Sequence, residues 1–196
     1  MKATSRYQDP RLPAPPRYRI LQALVNTTNR FWWKGGVDDL ECPQSLRRWL
    51  RTHGALELRS TVSKRDLRMM RGFREGLRAL MRAHAGVAPG ADALAVWNEL
   101  LRKTGLQLQF DRRGEPKIES AGSGITGAVA LMSNLILEAT IAGEWDRFKA
   151  CRRCGWAFYD RSRNRHGRWC RMEVCGNHVK SQAFRARKRK QLAIGA

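Results

Sequence analysis

The clearest periodicity in the chain runs over residues 64–85. Leu67, Met70, Phe73, Leu77, Leu80, Met81 and His84 recur at steps of three and four, which lays one apolar stripe along a helix. Ser63 and Asp66 frame its start as a capping box. The other face carries Arg65, Arg68, Arg71, Arg74, Arg78 and Arg82 and reads as a solvated surface; His84 reads as a favourable charge at the helix end. The same pattern predicts shorter helices. Residues 19–29 have an apolar face of Ile20, Leu21, Leu24 and Val25. A helix opens at Cys42-Pro43, buries Leu46, Trp49 and Leu50, and stops at Gly54. Another spans 91–103 and closes at Gly105. The period then drops to two in LQLQF (106–110), followed by the turn Asp111 to Gly114 and by Lys117-Ile118-Glu119, which predicts a hairpin. The apolar run 125–142 is interrupted by Ser133, Asn134, Glu138 and Thr140 and reads as a buried helix rather than a membrane span. With no proline in 143–149, that helix is expected to run nearly into Cys151. Four prolines at positions 10, 13, 15 and 16 make residues 1–17 an extended arm. The expectation is a mainly α protein, α+β with one small hairpin.

The cysteines change this picture at the C-terminal end. Four of the five fall in one stretch, as C-x2-C and C-x4-C separated by fifteen residues: Cys151, Cys154, Cys170 and Cys175. Two close pairs of thiols across a loop suit a tetrahedral Zn²⁺. Gly155 supplies the backbone freedom a C-x2-C knuckle turn needs. Trp156, Phe158 and Tyr159 follow in a strand-like stretch, and a helix is expected from Asn177. Four thiolates close the coordination sphere, so the zinc is expected to be structural and not catalytic. A knuckle, a second ligand pair and a helix starting at the last ligand describe a treble-clef-like finger. This divides the chain into a helical body, 1–146, and a finger with a basic C-terminal helix, 147–196. Cys42 lies far from the four and is expected to be a buried structural thiol.

Charge points to the partner. The net charge is +21, and residues 147–190 hold fifteen Lys and Arg against two acidic residues. A basic block beside a metal motif suits a polyanion, and nucleic acid is the commonest. Arg152, Arg153 and Arg171 sit beside the cysteines and are expected to offset thiolate charge. That leaves Arg161, Arg163, Arg165 and Arg168 in the inter-pair loop, and Lys180, Arg185, Arg187 and Lys188 in the tail helix, as nucleic-acid contacts. Arg185 or Arg187 is the expected base reader.

The stretch CRRCGWAFYDRSRNRHGRWCRMEVCGNH resembles the CGNR-type zinc finger, with Asp160, Ser162, Asn164, Arg165, Trp169 and Cys170-x4-Cys175-Gly176-Asn177 in place. His178 stands where that motif has its final Arg. The body resembles the ABATE domain in Leu24-Val25-Asn26-Thr27, Asp39-Leu40 and the Leu46–Trp49–Leu50 helix. The resemblance implies a bacterial, stress-induced transcription regulator with a sensing or dimerising body.

The leading expectation is therefore a zinc-dependent DNA-binding regulator, cytoplasmic and associated with the nucleoid. RNA binding through exposed aromatics and arginines is one alternative. A protein-interaction scaffold for an acidic partner is another. An enzyme is not expected, because Asp38, Asp39 and Glu41 have no companion base or metal set. A homodimer and a small-molecule effector are also expected of the body, with Asn26, Thr27, Trp32 and Trp33 as candidate pocket residues. No membrane partner is expected.

Overall fold

In the computed structural model, which describes residues 13–28, 36, 38–56, 60–120 and 122–194, the long periodic helix is present as α3 (Lys64–His84). Its capping box forms as the sequence predicts. Ser63 Oγ accepts from the Asp66 N–H at 3.2 Å, and Asp66 Oδ2 accepts from the Ser63 N–H at 2.8 Å. Around α3 stand a 3-10 turn (Pro16–Tyr18), α1 (Arg19–Val25), α2 (Pro43–Thr52), α4 (Ala91–Lys103) and α5 (Gly124–Ile141). Leu21, Leu24, Leu46, Leu50, Met70, Phe73, Leu77, Met81, Val129 and Met132 are fully buried between them. Each such side chain is worth about 1.5–3 kcal/mol by its removal from water. Phe73 stacks on Trp97 of α4 at 4.6 Å between ring centroids. Gly76 faces the same indole, and a methyl group there would collide with it; the missing side chain lets α4 close on α3.

The sequence-predicted hairpin is β1 (Leu106–Phe110) with β2 (Pro116–Ser120), antiparallel, with Leu108 opposite Ile118. β2 packs on α5. Among the described residues α5 is the one helix long and apolar enough to cross a membrane by length and composition. Here it packs against β2, α3 and the first 3-10 turn, burying Ile125, Ala128, Val129, Met132 and Ala139. Leu131, Leu137 and Ile141 on its other side are exposed.

Three expectations need correction. Helix α5 does not run to Cys151 but ends at Ile141. Gly143 takes φ +65° and donates its N–H to Thr140 O, while Glu144 donates to Ala139 O. These two bonds close the last turn in a way only a residue tolerant of left-handed backbone allows cheaply. The chain then makes a 3-10 turn (Trp145–Arg147) and a second hairpin that periodicity did not predict, β3 (Phe148–Ala150) with β4 (Ala157–Tyr159). Three-residue strands are too short to display alternation. Finally, Cys42 is exposed at the start of α2, its N–H donated to Ser45 Oγ, and is not a core thiol.

The second hairpin belongs to the main core. Phe148, Ala150, Ala157 and Tyr159 are buried in the same cluster as α1 and α3. Phe148 meets Tyr18, Trp145 and Tyr159 at centroid distances of 6.0, 5.7 and 5.2 Å. The edge-on pairs with Tyr18 and Tyr159 add about 0.5–1.5 kcal/mol each beyond the area they bury.

Candidate metal centre and basic surface

Cys151 and Cys154 sit on the turn that joins β3 to β4. The Gly155 N–H bonds Cys151 O at 2.8 Å, the Cys151 N–H bonds Trp156 O at 2.9 Å, and Gly155 holds φ +72°. This is the knuckle turn expected from the motif. Cys175 lies on a single π turn (Met172–Gly176), where both the Cys175 and Gly176 N–H groups bond Arg171 O. The chain passes from that turn directly into α6 (Asn177–Ile194).

The four sulfur atoms lie within 4.8 Å of one another, Cys154 to Cys170 at 3.5 Å and Cys170 to Cys175 at 3.8 Å. A metal at the usual Zn–S distance of about 2.3 Å at the centre of a tetrahedron requires sulfur–sulfur edges of about 3.8 Å, so the cluster has the right size. Cys151, Cys154 and Cys175 are buried, and Trp156, Trp169 and Phe158 pack around them. Hydrogen bonding from Cys154 holds Cys151 well below the usual thiol range, whereas the bond shared with Cys151 pushes Cys154 and Cys170 up. Four thiols this close need a cation to become four thiolates. The residues present fit a tetrahedral thiolate-bound metal.

The cluster is tied to the body by polar contacts as well as by the shared core. Asn26 works as a short piece of strand: its Nδ2 donates to Ala157 O at 3.0 Å and its Oδ1 accepts from the Ala157 N–H at 2.7 Å. Arg78 Nη1 donates to Gly155 O in the knuckle at 2.6 Å, and its Nη2 donates to Val25 O at 2.7 Å. Arg82 donates to Arg152 O, and Arg152 turns back to Ala85 O and Gly86 O at the end of α3. His84 Nδ1 lies 2.8 Å from Phe148 O. Arg74 is held in the same layer by Asp38, at 2.6 and 2.9 Å, and by Thr27 Oγ1. The arginine face of α3, read from the sequence as solvated, thus becomes the polar half of the joint: Arg74 is 4% and Arg78 9% exposed.

A second knot shapes the loop between the cysteine pairs. Lys149 Nζ donates to Asp160 Oδ2 at 2.8 Å, with both side chains nearly out of contact with solvent. Asp160 also accepts from Ser162 N–H, Ser162 Oγ and Gly167 N–H, and Lys149 reaches Arg165 O. Burial opposes the carboxylate charge, but Lys149, Ser162 and Gly167 outweigh it and hold the Asp160 carboxyl well below the usual range. Lys149 has no role among the sequence expectations, because an isolated lysine in a basic segment carries no mark of burial.

The candidate nucleic-acid residues divide into two groups. Arg161 donates to Pro13 O at 3.0 Å and lies over the Tyr159 ring, and Arg165 contacts both Asp146 oxygens at 2.9 Å from a left-handed backbone. Arg163 and Arg168 are exposed on the loop. Of the arginines expected to offset thiolate charge, Arg153 reaches Cys175 Sγ at 3.9 Å while Arg152 serves the joint. Lys180, Arg185, Arg187 and Lys188 all lie exposed on α6, as does His178. Val179 is half-buried, whereas Ala183 and Ala186 further along α6 are exposed. Of the candidate pocket residues, Asn26 is spent on β4 and Thr27, 2% exposed, donates to Leu24 O; Trp32 and Trp33 lie outside the described residues.

A helical body joined to a four-cysteine finger that ends in a basic helix defines a class, the zinc-finger proteins with an attached helical domain. Residues 19–142 match the ABATE family, described as "Putative stress-induced transcription regulator", and residues 147–188 match the CGNR zinc finger. The chain belongs to the ABATE family and carries a CGNR zinc finger behind that segment. No curated protein matches it.

Proposed function

We propose that the protein is a DNA-binding transcription regulator whose four cysteines hold a structural Zn²⁺. The observation that carries this reading is the position of α6. It begins two residues after the fourth cysteine, and every described side chain from Lys180 to Gln191 is exposed. The metal would hold the π turn against the knuckle, and the knuckle is bonded to the body, so the direction of α6 is set by Cys151, Cys154, Cys170 and Cys175. Arg163 and Arg168 extend the positive surface along the loop. A regulator of this kind works in the cytoplasm, on the nucleoid. The division of labour falls near residue 147, with the body as platform and the finger as reader.

DNA is favoured over RNA because all but one of the candidate aromatics that would stack on unpaired bases are engaged, Phe184 being the exposed one. Trp156, Phe158 and Trp169 pack around the sulfur atoms. The test is binding of the full-length protein to genomic fragments across a salt series, with and without a chelator. Binding is expected to weaken steeply with salt and to weaken again on chelation. Affinity unchanged by chelation would remove the metal from the reading mechanism, and equal binding of all fragments at every salt would remove the regulator.

A further inference from the structure

We propose that α6 lies lengthwise in the major groove of B-form DNA, with Ser181, Phe184, Lys188 and Gln191 facing the base edges. This rests on the DNA-binding reading above and deepens it. Val179 is the one half-buried side chain among those described on α6, so it marks the side turned toward the finger. At about 100° per residue, Ser181, Phe184, Lys188 and Gln191 fall on the far side, within an arc of about 80°. Two pairs of cations flank that stripe, Arg185 with Arg189 on one side and Lys180 with Arg187 on the other. Taken with Lys188 in the stripe and Lys190, these six cations leave no gap wider than about 100° around the helix. After Glu173 the chain has no acidic residue, so none of these charges has a partner within α6.

A helix meant to lie on a flat anionic surface needs cations on one face only. Cations on both flanks fit a trough with two charged walls. The major groove of B-DNA is such a trough, about 12 Å wide and about 8.5 Å deep, and takes a helix about 10–12 Å across. The major groove of A-form RNA is too narrow for side chains to read. Phe184, 61% exposed, has no apolar neighbour on α6 to explain it; at the groove floor it meets thymine methyl groups. Gln191 suits the N6/N7 edge of adenine and Lys188 the O6/N7 edge of guanine. Arg185 and Arg187, expected from sequence to read bases, are assigned to the phosphate walls instead.

The test uses the full-length, zinc-loaded protein and three duplexes of one mixed sequence. The first is plain DNA. In the second every cytosine is glucosylated 5-hydroxymethylcytosine, so that neutral sugar fills the major groove. The third is RNA. Glucosylation and the RNA backbone are each expected to weaken binding about tenfold or more. Arg185→Ala with Arg189→Ala is expected to reduce the salt slope by about two without changing sequence preference. Phe184→Ala with Gln191→Ala is expected to keep the slope and flatten the preference seen in selection from random duplexes. All these side chains are exposed, and an unchanged Tm confirms that each variant folds. Equal binding to plain and glucosylated DNA overturns the groove assignment and leaves the DNA-binding reading standing. Preference abolished by the arginine pair rather than by Phe184 and Gln191 overturns the assignment of faces. No binding to any duplex overturns both readings.

Discussion

Helices α3 and α6 are both rich in arginine, and they use it in opposite ways. In α3 the arginines are least exposed in the middle of the helix. Arg65 and Arg68 in the opening turns are exposed, Arg71 and Arg82 are half-buried, and Arg74 and Arg78 are buried. Arg74 meets the side chains of Asp38, Thr27 and Glu75, and the others meet backbone oxygen: Leu40 O for Arg71, Val25 O and Gly155 O for Arg78, Arg152 O for Arg82. A guanidinium has five N–H donors in a rigid fork and suits segments whose carbonyls lack a ladder. Asp38 and Glu75 supply the counter-charge. Helix α6 has neither resource. Among the described residues, every α6 side chain from Lys180 to Gln191 is exposed, and no acidic residue follows Glu173 to sit beside its cations. The number of arginines on a helix therefore says little about its role. The supply of loop carbonyls and carboxylates within reach separates a structural arginine from one left for an outside anion.

This contrast can be broken or sharpened by experiment, beginning with the metal. Chelation should remove what holds Cys175 and the base of α6 to the knuckle, a contribution on the order of 10 kcal/mol in isolated zinc-finger peptides. Amide hydrogen exchange should then show residues 151–177 losing protection while α3 keeps it; simultaneous loss from both would mean that α3 depends on the metal as much as α6 does. Next is the ion pair beneath the loop. Asp160→Asn leaves Lys149 buried without a counter-charge and should cost about 3–5 kcal/mol in urea unfolding. Its pH dependence has a definite sign. The folded Asp160 carboxyl titrates below its unfolded value, so its stabilisation is complete above the ordinary aspartate value of about 3.9 and is lost as pH falls below that. Wild type and Asp160→Asn should converge in stability toward acid. Divergence on acidification would mean that the carboxylate does not carry the effect.

Arg78→Ala should cost about 3 kcal/mol, because it strands buried carbonyl groups in both α1 and the knuckle. For a chain of this size that lowers Tm by roughly 6–12 °C. A change under about 1 kcal/mol would return Arg78 to the surface class. Smallest is the effect on stability of Arg185→Ala, Arg187→Ala and Lys188→Ala together, expected within about 0.5 kcal/mol per site. The salt slope of DNA binding should instead fall by about 0.9 for each phosphate left without its cation. A large stability loss here would show that α6 is anchored in the way α3 is.

Much of this was legible in the sequence where one physical signal dominated. The capping box and apolar stripe of α3, the bounds of α4, the β1–β2 hairpin and the four-thiol cluster each follow from local spacing. Two kinds of feature did not follow. The β3–β4 hairpin has strands of three residues, and the aromatic cluster that stabilises it joins Tyr18 to Phe148 across 130 positions. The buried roles of Arg74, Arg78, Lys149 and Asn26 depend on where distant carbonyl groups arrive, and spacing along the chain contains no such information. Within the finger, Arg161 and Arg165 looked equivalent to Arg163 and Arg168. Pro13 and Asp146 separate them, and only the folded chain brings those residues near.

Because Phe148, Ala150, Ala157 and Tyr159 are buried in the core of the body, and Ala157 pairs with Asn26, the finger is not an interchangeable cassette. A finger transplanted from another chain would need an inner face that fits α1 and α3 as well as its own cysteines. The side chains of α6 from Lys180 to Gln191, all exposed, can be changed without touching the buried residues of that seam. Grafting between such proteins should therefore be cut after Cys175, with the hairpin left to its native body.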